Sequence, residues 1–473
     1  MVVQPSPTQC FQNCQDIERF LFNWQQKLPE TLRSHWLSLR VRLPDLDPLL
    51  AFDQHQRGDQ PSFYLENPRQ QQAIAAWGSC CQIAANGDQR FQRIQDFIRH
   101  CHENASLINP RLGWPQGLQI FCSFSFFDQS SNALFPAASA FLPQWQLSHQ
   151  PGQTLATCNL PLTRDSDLAN LSQQIWDTLE QLRSLPSTPV RQPGPALPQP
   201  VHCDWRDIQQ FQHNVLRALN AIETKQLQKV VLSHAIDLQA RSPFHLTTAL
   251  AQLRQHYPDC YSFAVGNGNG QYFIGASPER LLSSHHGQLI ADALAGSAPR
   301  GETPSTDAQL ANHLLSSPKE RHEHRVVLHF IQKQLQSLGL TLHPVPPIRL
   351  LQLSNIQHLW TPIRANLPNS VHPLQVLAQL HPTPAVAGVP CPEACQAIQN
   401  WETLDRQLYA APLGWVNDQG DSEFIVGIRS ALINGDRARL YAGAGIVAGS
   451  DPAKELAEIQ LKLQALLNTL NGN

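Results

Sequence analysis

No run of 18 apolar residues occurs anywhere in the 473-residue chain, so no transmembrane helix is expected. The opening Met1-Val-Val-Gln-Pro-Ser-Pro-Thr-Gln-Cys10 lacks a basic stretch followed by an apolar one, and no arginine-rich transit segment is visible. Secretion is therefore not expected, and a cytoplasmic location is. Charge is scarce: Asp, Glu, Lys and Arg make up 15% of the chain, and the net charge is -3. Without a basic stripe, a nucleic-acid partner is not expected. The eleven cysteines are an odd number spread along a long chain, which suits reduced thiols better than a disulfide framework. Cys10/Cys14 and Cys391/Cys395 are spaced i,i+4, and Cys80 and Cys81 are adjacent. None has zinc-ligand spacing with a second matching pair, so structural zinc is not expected. No internal repeat is visible.

What is present divides the chain in two. Residues 1–185 form a first region and residues 205–470 a second. Between them, residues 186–204 read as a linker, because Leu185-Pro-Ser-Thr-Pro-Val-Arg-Gln-Pro-Gly-Pro-Ala-Leu-Pro-Gln-Pro200 is too proline-rich for a helix or a central strand. In the second region Ile208, Phe211, Val215, Leu219 and Ile222 recur at helical spacing, with Asp204 and Asp207 as candidate caps. The strand Lys229-Val-Val-Leu-Ser-His-Ala-Ile-Asp-Leu follows. Alternation over Gln271–Ala276 and residues 287–294, around a Pro-Glu turn and His286-Gly287, predicts antiparallel strands. Ser317-Pro-Lys-Glu320 is a capping-box pattern that predicts a helix to about Leu338. Phe424–Leu432, Asn434-Gly435 and Arg439–Ala442 predict a hairpin, and Ser450-Asp-Pro starts a terminal helix. Hairpins mixed with long helices give an α+β class.

Two ionisable groups stand at strand ends. Lys229 opens one apolar strand, and Glu279 follows Phe273-Ile-Gly-Ala-Ser-Pro. A lysine with a lowered pKa and a glutamate with a raised one would make a base and an acid across a cleft. Two helices carry further carboxylates: Glu320 and Glu323 with His324, and Glu455 and Glu458 with Lys462. Taken alone, both helices read as solvated faces with ordinary i,i+4 pairs. Arg429, among apolar neighbours in Val426-Gly-Ile-Arg-Ser, must be paired, either with a structural carboxylate or with one on a substrate. Gly296-Ser297 and Gly443-Ala-Gly445 permit close backbone approach, as turns do and as a carboxylate site would require.

Seven motifs then occur in a characteristic order: Lys229-Val-Val-Leu, Gly275-Ala-Ser-Pro-Glu-Arg280, Leu294-Ala-Gly-Ser-Ala-Pro-Arg-Gly301, Lys319-Glu-Arg-His-Glu-His324, Gln357-His-Leu-Trp360, His381-Pro-Thr-Pro-Ala385 and Tyr441-Ala-Gly-Ala-Gly-Ile-Val-Ala448. Together they resemble the chorismate-utilising enzymes, and among these the isochorismate synthases, over roughly residues 205–470. The resemblance implies a single body of two stacked, mostly antiparallel sheets flanked by helices, with the N-terminal region completing the sheets. It implies Mg²⁺ held by Glu323 and Glu458, with Glu320 and Glu455 beside them or reaching the ion through water. It implies substrate contacts from Lys462, His358, Arg429, Gly296, Ser297, Gly443 and Gly445. It further implies chorismate as the small-molecule substrate, no glutamine amidotransferase subunit, and a monomer. Relatives that use ammonia usually lack a lysine at the position of Lys229, and one class carries a lysine where this chain has Ala295. Relatives that use ammonia or eliminate pyruvate typically carry a hydroxyl residue where Ala385 stands. Salicylate synthase, which shares the Lys and Glu, is the alternative reading, and a catalytically silent binding relative is a more distant one.

Overall fold

The computed structural model describes residues 11–28, 35–108, 112–129, 134–186, 200–205, 208–354 and 356–471. Two large sheets, flanked by helices, enclose one core, and residues from both ends of the chain build each sheet. In the larger sheet Pro61–Asn67 pairs antiparallel with Tyr261–Asn267. In the smaller one Ile120–Phe124 pairs antiparallel with Pro412–Val416. The N-terminal region thus completes both sheets, as the α+β expectation had it. Phe63 of the larger sheet meets Phe121 of the smaller with ring centroids 5.0 Å apart, and both are buried. Almost all the pairing is antiparallel, the exception being His35–Leu43 with Ala105–Ile108. No helix among the described residues is long and apolar enough to cross a membrane.

Residues 187–199 of the proline-rich stretch lie outside the described residues, as does the candidate cap Asp207. Pro200–Asp204 forms an edge strand on the far end of the strand Lys229–Ala240. A proline is tolerated there because an edge strand needs no ladder donor on its open side. Asp204 therefore ends a strand. The helix that follows, Ile208–Glu223, buries Phe211 and Val215 of the predicted set, with Ile208, Leu219 and Ile222 partly buried and Ala218 and Ala221 completing the buried face.

Two connections differ from the sequence expectation. Gln271–Ser277 belongs to the larger sheet, whereas Arg280–His285 belongs to the smaller and forms a hairpin with Gln288–Pro299. Pro278-Glu279 is accordingly a crossing between sheets and not a hairpin turn. Likewise Phe424–Leu432 is not one strand. Ser422–Val426 lies in the smaller sheet, the chain leaves it at residues 427–429, and Ser430–Asn434 joins the larger. The predicted hairpin is real but shorter, between Ser430–Asn434 and Arg437–Val447. The crossings lie side by side. The Val426 N–H donates to the Glu279 carbonyl at 3.1 Å and the Ala276 N–H to the Arg429 carbonyl at 3.1 Å. The Ser277 hydroxyl donates to the Val426 carbonyl at 2.6 Å.

The Lys229 strand is braced by a buried ion pair. Arg406 binds Glu402 at 2.6 Å with both side chains almost fully buried. Arg406 also donates to the Val231 carbonyl at 2.8 Å, and Glu402 accepts the Ser233 N–H at 2.7 Å. Removing one partner of such a pair strands a buried charge and costs about 3–5 kcal/mol. Arg406→Met is expected to lower unfolding stability by that order in a denaturant titration. An unchanged midpoint would show that the pair does not brace the strand.

Candidate functional site

Lys229 begins its strand, between Val447 on one neighbour and Val389 on the other, and is buried. Its ammonium lies 2.5 Å from Glu323 Oε1. Gly445 leaves this approach open. A β-carbon there would sit 3.0 Å from Lys229 Cε, and the lysine stem would have to shift by a few tenths of an ångström. Burial pushes the Glu323 carboxyl up. The charge and hydrogen bond of Lys229, with Lys319 and Lys462 further off, outweigh this and hold it below its ordinary value.

Glu323 and Glu320 lie on the helix Pro318–Ser337, capped by the Ser317 hydroxyl, which accepts the Glu320 N–H. The reciprocal half of the expected capping box is absent. Glu320 turns away from its own helix start and accepts the Ser297 N–H at 3.2 Å. Gly296, at a bulge with φ of +79°, makes room for it, since a β-carbon would lie 3.2 Å from the Glu320 carboxylate. Burial, then the charges of Glu323 and Glu458, raise the Glu320 carboxyl. Burial and the charge of Glu458 likewise raise Glu455. The terminal helix Pro452–Asn471 places Lys462 2.7 Å from Glu458 Oε1 and 2.8 Å from the Gly443 carbonyl, to which it donates. Four carboxylates and Lys462 thus share one region with Lys229. His324 is not part of it: it is fully buried and bonded to the Thr361 hydroxyl at 2.8 Å.

A second group joins this region through Ser297. The Ser297 hydroxyl is 2.7 Å from His358 Nδ1, and Arg429 Nη2 is 3.4 Å from His358 Nε2. A guanidinium can only donate, so Nε2 is the acceptor and the neutral ring carries its proton on Nδ1. Burial, then the charges of Arg429 and Lys462, push His358 down to about 3, so it is uncharged at neutral pH. Arg429 sits in the crossing between sheets with φ of +50°, not within a strand. Among the described residues no carboxylate pairs with it. Its contacts are His358, the Cys260 thiol at 3.6 Å and the face of Tyr257. A half-buried guanidinium with neutral neighbours is suited to a carboxylate from outside the chain.

Glu279 occupies the other crossing and is 5% exposed. Burial, then the nearby charge of Asp292, raise its carboxyl to about 8, against a smaller opposing pull from Lys229. It is an acid that keeps its proton at neutral pH. Asp292 and its partner Arg280, 3.0 Å apart, were missed by the sequence reading. An aspartate inside the apolar strand Gln288–Pro299 was the available signal. Ala385 lies in the turn before Gly388-Val389, the short strand paired with Lys229 and Val230, and is partly buried against the core. Cavities of about 160 and 260 Å³ lie elsewhere, and neither is lined by a residue of this cluster.

The family model described as chorismate binding enzyme matches residues 23–471. The chain belongs to this family of chorismate-binding enzymes. Its similarity within the family falls on particular members. It is 33% identical, over 90% of its own length and 88% of the other, to the salicylate biosynthesis isochorismate synthase of Pseudomonas aeruginosa. It is 30% identical to the isochorismate synthase MenF of Haemophilus influenzae, over 94% and 93% of the two chains. The solved structure of MenF, the menaquinone-specific isochorismate synthase from Escherichia coli, superposes with a TM-score of 0.77 at 28% identity, covering 95% of this chain and 98% of that one. Anthranilate synthase component I from Streptococcus pneumoniae shares the fold, with a TM-score of 0.61 at 19% identity.

The raised Glu279 carboxyl has a thermodynamic consequence. Unfolded, it ionises near 4.5; folded, it holds its proton to about 8. Between these values the native chain binds more protons than the unfolded one, so this group's contribution to stability falls as pH rises through the window. Glu279→Gln is expected to remove that fall, read as a smaller decline of the urea midpoint with pH than in the parent chain. Parallel declines would contradict the assigned protonation.

Proposed function

We propose that this chain is an isochorismate synthase, a hydroxymutase that converts chorismate reversibly to isochorismate. The observation that carries the reading is a buried lysine, Lys229, near a buried glutamic acid, Glu279, whose carboxyl is raised to about 8 and so holds its proton at neutral pH. In the reading, Lys229 removes a proton from water for attack at C2. Glu279 protonates the departing C4 hydroxyl as the ring double bonds shift. One hydroxyl replaces another, so the exchange is close to thermoneutral and reversible. The Lys229 ammonium now donates to Glu323 at 2.5 Å, and in this reading it turns to water when that carboxylate is engaged by a metal ion. Arg429 would bind a substrate carboxylate, with neutral His358 and Ser297 fixing the guanidinium. Lys462 and the backbone at residues 443–445 would meet the other.

The carboxylates fit a hard divalent cation. Glu320 and Glu455 are both raised, chiefly by burial and then by neighbouring negative charge, and an ion bound by Glu323 and Glu458 would relieve the second part. When bound, Mg²⁺ would anchor the substrate's ring carboxylate and offset its charge. The methyl of Ala385 offers no hydrogen bond to an amine, which favours water as the nucleophile and release of isochorismate with its side chain intact. The chain would act as a monomer without an amidotransferase subunit. It would feed menaquinone synthesis, as the menaquinone-specific name of the Escherichia coli MenF has it, or salicylate supply, as the Pseudomonas relative's name has it, with phylloquinone and siderophore synthesis as the related routes.

Incubation with chorismate and Mg²⁺, followed by separation of products, is expected to give isochorismate. Added ammonium should yield no aminated product. Anthranilate, or salicylate with pyruvate, as main product would move the chain to another reaction class. Lys229→Ala is expected to lose about 10²–10⁴ in turnover, the usual contribution of a general base, with its fold intact. Glu279→Gln should bind chorismate yet not convert it, and residual chemistry with lost affinity would contradict its role as the acid. Glu323→Ala and Glu458→Ala should each raise the Mg²⁺ concentration needed for activity, and Lys462→Ala should act mainly on substrate affinity. Full activity in excess chelator would remove the metal from the mechanism.

A further inference from the structure

Adjacent residues on an extended strand point to opposite faces. His285 and His286 do not. His285 ends the strand Arg280–His285, and His286-Gly287 forms a two-residue turn into Gln288–Pro299, with φ of +50° and +74°. Positive φ at both positions is the turn that matches strand twist. Histidine tolerates this region better than most side chains. The left-handed backbone at His286 brings its ring beside that of His285, with centroids 4.0 Å apart.

Asp421, just before the neighbouring strand Ser422–Val426, points its carboxylate at the same place. Its side chain is only 4% exposed, while that of His285 is 60% exposed. One oxygen, Oδ1, accepts the His286 N–H at 2.8 Å, and Oδ2 lies 3.2 Å from His285 Nδ1. The backbone of Asp421 is itself fixed, with its N–H donating to Asn417 Oδ1 at 2.8 Å and its carbonyl accepting the Asn417 N–H at 2.9 Å. One ligand atom from each of the three side chains lies within 4.8 Å of the others. The His285–Asp421 contact and the His286 N–H would pin the turn without any second imidazole. The convergence of both rings on one anchored oxygen pair is what a metal ion would use.

We propose that His285, His286 and Asp421 form a binding site for a divalent transition-metal ion, of the zinc or nickel class, distinct from the carboxylate cluster. Two imidazole nitrogens and one carboxylate oxygen are borderline donors that suit Zn²⁺, Ni²⁺ or Cu²⁺ over Mg²⁺ or Ca²⁺. The exposed rings leave an entry path and room for water at the remaining positions. The His286 N–H holds the carboxylate as an outer partner of a metal site does, and Asn417 fixes the Asp421 backbone. The strand Arg280–His285 begins beside Glu279, so the site lies about 20 Å along the sheet from the acid, at roughly 3.3 Å per residue. A bound ion would tie the His286-Gly287 turn to the turn that ends at Asp421 and strengthen the smaller sheet.

The test is a Ni²⁺ titration of the full chain by calorimetry, in excess Mg²⁺ to occupy the carboxylates. His285→Gln and His286→Asn serve as variants, since both side chains are exposed and asparagine accepts the left-handed backbone. The parent is expected to bind one equivalent more than either variant, or to bind that equivalent about tenfold more tightly. Saturating Ni²⁺ is expected to raise the melting temperature of the parent and not of the variants. Equal stoichiometry, affinity and thermal shift in parent and variants, or no binding by the parent, would overturn the proposal.

Discussion

The site depends on one constraint: the chain passes between its two sheets at two neighbouring points, and each passage delivers a residue that a strand could not. Glu279 leaves the larger sheet and Arg429 enters it, and three hydrogen bonds lock the two crossings together. A residue within a strand must point to one face or the other. One at a crossing is released from that alternation. The left-handed backbone of Arg429 belongs to the same release. It is a conformation that non-glycine residues adopt mainly where surrounding contacts enforce it.

Around these crossings the charges are paired only in part: Lys229 with Glu323 and Lys462 with Glu458. Glu279 is held protonated by burial and by Asp292, while Lys229 is engaged by Glu323 at 2.5 Å. Glu320 and Glu455 are both raised, by burial first and then by neighbouring negative charge. Carboxyl groups raised by burial and by one another's charge, gathered in one region, are the kind of perturbed group that concentrates at functional sites. The buried Arg406–Glu402 pair contrasts with this. It is complete in itself, hydrogen-bonded on both sides, and its role is to hold the Lys229 strand.

Much of this was legible in the chain. The spacing of Ile208, Phe211, Val215, Leu219 and Ile222 predicted a helix, of which the structure buries Phe211 and Val215, and Ser317-Pro318 marked a helix start that the structure keeps. Lys229 stood out as a charge opening a β-branched apolar run, and the order of seven motifs pointed to the family. Local sequence encodes these features because helix caps, strand propensity and periodicity act over a few residues.

Sheet membership was decided only by the tertiary structure, because strand pairing is set between segments far apart in sequence. Pro278-Glu279 and residues 427–429 look like a turn and a continuous strand when read locally, and both are crossings. Glu320 fits a capping box by spacing, yet its carboxylate goes to Ser297, 23 residues away in sequence, because the bulge at Gly296 brings that N–H within reach. The sequence by itself determined which residues carry charge and where helices and strands begin. The packing of two sheets decided which of those charges meet, since only the folded chain brings Lys229, Glu323, Ser297, His358 and Arg429 into one connected group and removes the water that would otherwise keep them independent.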